Sequence, residues 1–141
     1  MGVGTGGFRN FGTEGETAYD ASVRSQARDQ RDSLRAMISE INAGQFEQQV
    51  IASKLPVLVE FFSEYCHPCQ QMLLVLAEIA KERTEKLRIF KFNAGEAPEF
   101  SSRFHVHSVP NFVLFRDGQP IGQRTGYTPK RDLLGWLDTT V

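Results

Sequence analysis

The sequence predicts an α/β domain built on a central mixed sheet with helices on its faces. Three observations carry that expectation. Val57-Leu58-Val59-Glu60-Phe61-Phe62 is a nearly continuous apolar run behind Pro56, the pattern of a strand covered on both faces. Strand-like and helix-like stretches alternate on either side of it, as parallel strands joined by right-handed crossovers require. Asp117-Gly118 sits between two strand-like runs, a tight-hairpin signal. The predicted order is βαβαβα followed by ββα.

Residues 1–34 read as an N-terminal extension, and 35–141 as the domain. The first twenty residues hold half of the chain's glycines. They offer too little apolar surface to offset their ordering entropy and read as flexible. Residues 21–34 read as a helix with Asp20 or Ser22 as cap and a thin apolar stripe at Val23, Ala27 and Leu34. That helix is either solvated or a docking helix for a partner or a second copy. Met37–Ile41 reads as a short strand. Asn42 caps a helix to about Ser53 whose inner face carries Phe46 and Val50. After the 57–62 strand, a helix runs from Cys66 to about Thr84, apolar nearly all round at Leu73–Ala77 and therefore buried. Leu87–Asn93 alternates as a strand, and 96–104 suggests a short helix. Asn111–Arg116 and Pro120–Thr125 form the hairpin arms. Thr128-Pro129 opens the last helix, with Pro129 at its first position and Leu133, Leu134 and Leu137 facing inward.

The bulk numbers exclude several classes. A net charge of −1 and a pI near 6.3 argue against nucleic acid or an acidic membrane as the main partner. No apolar run is long enough to span a bilayer. Met1–Phe8 has neither the charged nor the apolar region of a secretory signal, and Gly6 stands where myristoylation needs Ser or Thr. The expected location is the cytoplasm, where a dithiol is held mostly reduced.

The chemistry centres on Cys66-His67-Pro68-Cys69, which holds the chain's only two cysteines. A strand feeding a C-x-x-C turn and then a helix is how a redox-active dithiol is built. The helix contributes free N–H groups and positive potential at its first turn, which favour a thiolate at Cys66. A zinc site would need two further ligands, and His105 and His107 do not form a second ligand pair. Haem attachment would need His where Gln70 stands. His67 lies between the two sulfurs, and histidine is the side chain whose charge changes nearest neutral pH. Glu60, inside an apolar strand, is costly unless used or paired. It is either an edge residue reaching water or a proton acceptor. Lys91, on an alternating strand, is either a solvated side chain or a modulator of that acid.

Residues from about Met37 to Thr139 resemble thioredoxin. The matching pieces are Val59-Glu60-Phe61, Tyr65-Cys66-His67-Pro68-Cys69, Lys91-Phe92-Asn93, Val109-Pro110, Leu114-Phe115-Arg116-Asp117-Gly118 and Thr125-Gly126. The resemblance implies a thioredoxin fold. It implies that Cys66 is the exposed nucleophile, Cys69 the buried resolving thiol, and Pro68 the residue that stiffens the loop and starts the helix. Pro110 matches the family's cis-proline, which faces the dithiol and lets the preceding backbone, at Val109, pair with an extended substrate. Thr125 and Gly126 line the same groove, flanked by Tyr65 and His67. Glu60 takes the place of the buried acid and Lys91 that of its neighbour. The chain departs from the family where Glu60 replaces Asp, Tyr65 replaces Trp, His67 replaces Gly, Asn111 follows Pro110, and Leu74 stands at a helix-kinking proline.

The function so implied is that of a thiol–disulfide oxidoreductase, a protein-disulfide reductase acting by dithiol exchange. It needs no cofactor. Its partners are disulfide-containing protein substrates and a thioredoxin reductase as electron donor, with no nucleic acid and no membrane. The alternative is a thioredoxin-fold binding module or co-chaperone that docks through the N-terminal extension.

A positive charge on His67 would stabilise the Cys66 thiolate, a better leaving group, and so favour the reduced form. His67→Gly is therefore expected to lower the reduction potential in a glutathione titration by tens of millivolts, where ~30 mV corresponds to about 1.4 kcal/mol. An unchanged or higher potential in the variant would contradict this.

Overall fold

A computed structural model describes residues 2–141, with side chains from Tyr19 onward. The chain falls into two units, Met1–Ser33 and Leu34–Val141. Helix α1 (Gly2–Ala36) runs through the first and ends in the second. It takes in the 21–34 stretch. Its helical backbone also begins far N-terminal of Ala21, where the sequence suggested a flexible stretch instead. Each glycine costs a helix only about 1 kcal/mol relative to alanine, and no proline interrupts residues 2–36. The side chains of residues 1–18, and whatever they contact, lie outside the described residues.

The second unit is a five-stranded mixed sheet in the order β1-β3-β2-β4-β5. Its strands are β1 (Ser39–Glu40), β2 (Val57–Phe62), β3 (Arg88–Asn93), β4 (Asn111–Arg116) and β5 (Gln119–Thr125). β1 and β2 both run parallel to β3, while β4 is antiparallel to β2 and to β5. The predicted mixed sheet and element order are those observed. β1 is shorter than the expected 37–41 stretch because Met37 and Ile38 still belong to a turn, tied by their N–H groups to the Leu34 and Arg35 carbonyls.

Between β1 and β2, Asn42 caps α2 (Ala43–Phe46) in a reciprocal box. Its side chain accepts from the Gln45 N–H, and the Gln45 side chain accepts from the Asn42 N–H. The helix then widens into a π-helical turn, Glu47–Ile51. Arg88 holds that turn by donating to the Gln49 carbonyl and side chain. α3 (His67–Glu82) is one uninterrupted helix, and α4 (Pro98–Arg103) is a short one. α5 (Lys130–Thr140) has Pro129 at its N-cap, one position earlier than expected, because the residue is extended at ψ 152°. Asp117 and Gly118 both take positive φ, at 52° and 79°, the backbone that closes a two-residue hairpin without splaying its strands. β5 continues on the far side, with a bulge opposite Leu114/Phe115.

Strand alternation divides the core in two. Leu58, Ile89, Phe112 and Leu114 meet Met72, Leu73 and Leu76 of α3 and Leu133 and Leu137 of α5 on one face. Val57, Val59, Phe61, Phe92, Val113 and Phe115 meet Phe46 and Phe104 on the other. Phe46, fully buried, lies 5.1–5.7 Å between ring centroids from Phe92, Phe100, Phe104 and Phe115. Lys130 joins α5 to α3 through Glu78 and Glu82. Phe46→Ala should cost about 3–5 kcal/mol, transfer plus cavity, measured by chemical denaturation. A loss under about 1 kcal/mol would mean that the aromatic face repacks freely.

Candidate active site

β2 delivers the dithiol. Past Phe62 the chain turns, with the Cys66 N–H donating to the Ser63 carbonyl at 3.2 Å, and Cys66 becomes the N-cap of α3. Pro68 occupies the first turn, where its missing N–H costs nothing. Cys66 and Cys69 are joined as a disulfide with their Cα atoms 5.3 Å apart. The Cys69 N–H points at the Cys66 sulfur, 3.2 Å away, in place of the hydroxyl or carboxylate oxygen that usually caps a helix. The same donor, at the positive end of α3, would stabilise charge on that sulfur when the bond opens. Cys66 is 9% exposed and Cys69 2%. Cys66 is thus less open than expected, because the closed disulfide and the capping N–H fold its sulfur against the helix, but it remains the more accessible of the two.

The sheet register sets the rest in a row. Phe61 pairs with Asn111, and Asn111 with Thr125. The next residues out, Phe62, Pro110 and Gly126, therefore lie level at the same end of the sheet, where the cysteine loop begins. The Val109–Pro110 peptide bond is cis. The Gly126 N–H donates to the Pro110 carbonyl at 2.8 Å, and Gly126 holds a φ of 90°, which a side-chain-bearing residue rarely adopts. Tyr65 is 95% exposed beside Cys66, and His67 is exposed.

Glu60 pairs in register with Lys91 of β3 and Phe112 of β4. It is fully buried, on the sheet face beneath α3, and neither carboxylate oxygen meets a hydrogen-bond donor among the described residues. The reading of Glu60 as an edge residue reaching water is therefore set aside, since β2 is the middle strand. Burial pushes its carboxyl up from 4.5 to about 8, with the Lys91 ammonium pulling the other way. Lys91 is half-buried, its ammonium 5.4 Å from the Phe62 ring centre. Cys69, Met72, Leu73 and Leu76 share the buried stripe of α3, so Cys69 turns toward the face that carries Glu60.

Among the described residues no group of three His, Cys, Asp or Glu could hold a metal ion, and His105 and His107 are both exposed. No helix there is long and apolar enough to cross a membrane. Two features had no sequence signal. The Thr128 N–H donates to the Met72 sulfur, tying the loop after Gly126 to α3. The Gln123 amide bridges Asn111 and the His105 carbonyl. Both join residues far apart in the chain.

A protein-family model described as Thioredoxin matches residues 37–139. A thioredoxin of Rickettsia bellii is 33% identical over 105 residues, which is 74% of this chain and all of the relative. One from Alicyclobacillus acidocaldarius is 42% identical over 86 residues, covering 61% of this chain and 82% of the relative. One from Mycobacterium bovis is 36% identical over 110 residues, 78% and 95% of the two chains.

The buried acid couples stability to pH. Between about 4.5 and 8 the unfolded chain has released the Glu60 proton and the folded chain retains it, so stability falls as pH rises through that window. Glu60→Gln removes the linkage. Its stability gain over wild type should be small at pH 4.5 and grow toward pH 8, to on the order of 4 kcal/mol. Urea unfolding at both pH values measures the difference. A gain that does not vary with pH would mean that Glu60 is not desolvated.

Proposed function

The chain belongs to the thioredoxin family and is a thiol–disulfide oxidoreductase; from that premise we propose that Cys66 attacks, Cys69 resolves and Glu60 takes the resolving proton. The observation that carries this is the pairing of an N-capping cysteine with a second, deeper cysteine on the helix stripe that faces the sheet side of a buried acid without a hydrogen-bond donor among the described residues.

In the reduced protein the Cys66 thiolate attacks one sulfur of a substrate disulfide. The substrate S–S bond breaks, one substrate thiolate leaves and takes a proton, and a mixed disulfide remains on Cys66. Cys69 then gives its proton to Glu60 in the molecules where that acid is ionised, a share that grows as pH rises toward 8, and its thiolate attacks the Cys66 sulfur. The second substrate thiolate leaves, and the Cys66–Cys69 bond closes. Two electrons have passed from the dithiol to the substrate. Burial raises the Glu60 carboxyl into the range where it can take up a proton near neutral pH. Lys91 sets the ionisation of Glu60 through its charge, and Pro68 fixes the start of the helix.

Val109, Pro110, Thr125 and Gly126 form the substrate groove, with Tyr65 and His67 on its rim. The substrates are disulfide-containing proteins, a thioredoxin reductase returns two electrons per cycle, and the setting is the cytoplasm. The dithiol exchange itself uses no cofactor. Residues 1–34 form an extension that carries none of this chemistry. That reading is supported by the family match beginning at residue 37.

Cys69→Ser should accumulate mixed disulfides with protein substrates, seen by mass spectrometry, and Cys66→Ser should not. Trapping that follows Cys69 in place of Cys66 would reverse the assignment.

A further inference from the structure

Asn111 follows the cis-proline and is 2% exposed, so its amide must find partners inside the protein. Its Nδ2 donates to the Thr125 hydroxyl at 3.2 Å, and its Oδ1 accepts from Gln123 Nε2 at 2.9 Å. The same Gln123 nitrogen donates to the His105 carbonyl at 3.1 Å. His105 has a φ of 58°, the left-handed region that a residue with a side chain occupies only when its surroundings hold it there. It opens the segment from His105 to Pro110 that ends in the cis bond. One amide thus connects three places: the start of that segment, the first residue of β4 behind Pro110, and, through Asn111, the last residue of β5 before Gly126.

The network is well placed to act on binding alone. Asn111, Val113, Gln123 and Thr125 share a sheet face through the pairs Asn111–Thr125 and Val113–Gln123, and Val113 belongs to the core opposite α3. The network therefore braces the groove from behind, on the face away from Glu60. Gln123 itself is exposed, so replacing it leaves the core filled.

We propose that Gln123 is a positioning residue: its side-chain amide holds the His105–Pro110 segment against β5 and so sets how tightly an extended segment of a protein disulfide binds beside Val109. This rests on the groove reading given under the proposed function.

The test compares the full-length wild type, Gln123→Met, which keeps the stem and removes both donors, and Gln123→Lys, which restores an N–H donor at a similar reach. KM and kcat are measured for insulin reduction with dithiothreitol as electron source. Reduced protein is also mixed with hydroxyethyl disulfide, which has no extended flanks, in stopped flow. Gln123→Met should raise the KM for insulin about fivefold with kcat within about twofold of wild type, and Gln123→Lys should recover most of the loss. The hydroxyethyl disulfide rate should change by much less than the insulin KM. An unchanged KM in Gln123→Met, an equal loss with both disulfides, or no recovery in Gln123→Lys overturns the proposal and leaves the groove reading standing. A wild type with no preference for insulin over hydroxyethyl disulfide overturns the groove reading, and this proposal with it.

Discussion

Six residues, Val57–Phe62, hydrogen-bond to a strand on each side and carry side chains into both halves of the core. Every other element is placed relative to them. β3 is held parallel on one flank, and β4, antiparallel on the other, returns the chain so that Pro110 arrives where β2 ends. α3 starts at that same end because β2 points its C-terminus there. A helix terminus that favours an anion, a dithiol and the cis-proline are thus brought together by the direction of one strand.

The same strand holds a group that is costly to bury, Glu60. An acid between Val59 and Phe61, with no donor for either oxygen among the described residues, opposes folding at neutral pH. The large aromatic cluster on the opposite face and the apolar contacts of α3 and α5 offset that cost. A carboxyl held in this setting keeps its proton well above the usual carboxylate range, the consequence of burial without a donor. Lys91, one strand away, keeps the acid within reach of ionisation without forming a hydrogen bond to it.

Much of this was legible in the residues. A continuous apolar run announces a strand buried on both faces, Asn42 announces a helix start, and Asp117-Gly118 announces a hairpin, because each is decided within a few neighbouring residues. The C-x-x-C motif behind a strand was equally local. What stayed ambiguous was set by partners distant in sequence. Glu60 could be read as a solvent-reaching edge residue until β2 was found in the middle of the sheet. The length of β1 depends on how much of the segment before it is held in a turn. The π-helical turn at Glu47–Ile51 is braced by Arg88, some forty residues on, and no pattern in its own residues signals it. The Gln123 bridge spans a strand pair and a loop, and a glutamine on an alternating strand looks like any other solvated residue.

The strand order also decides where this sheet can grow. One border is β1, two residues long. The other is β5, where Pro120 removes a ladder donor, a bulge breaks the register and Arg124 brings a charge. Short strands, prolines, bulges and charges are the means by which sheets discourage edge-to-edge aggregation. With both borders blunted, the five-stranded sheet offers little to a further strand, and copies of the domain are kept from fusing edge to edge into a polymer.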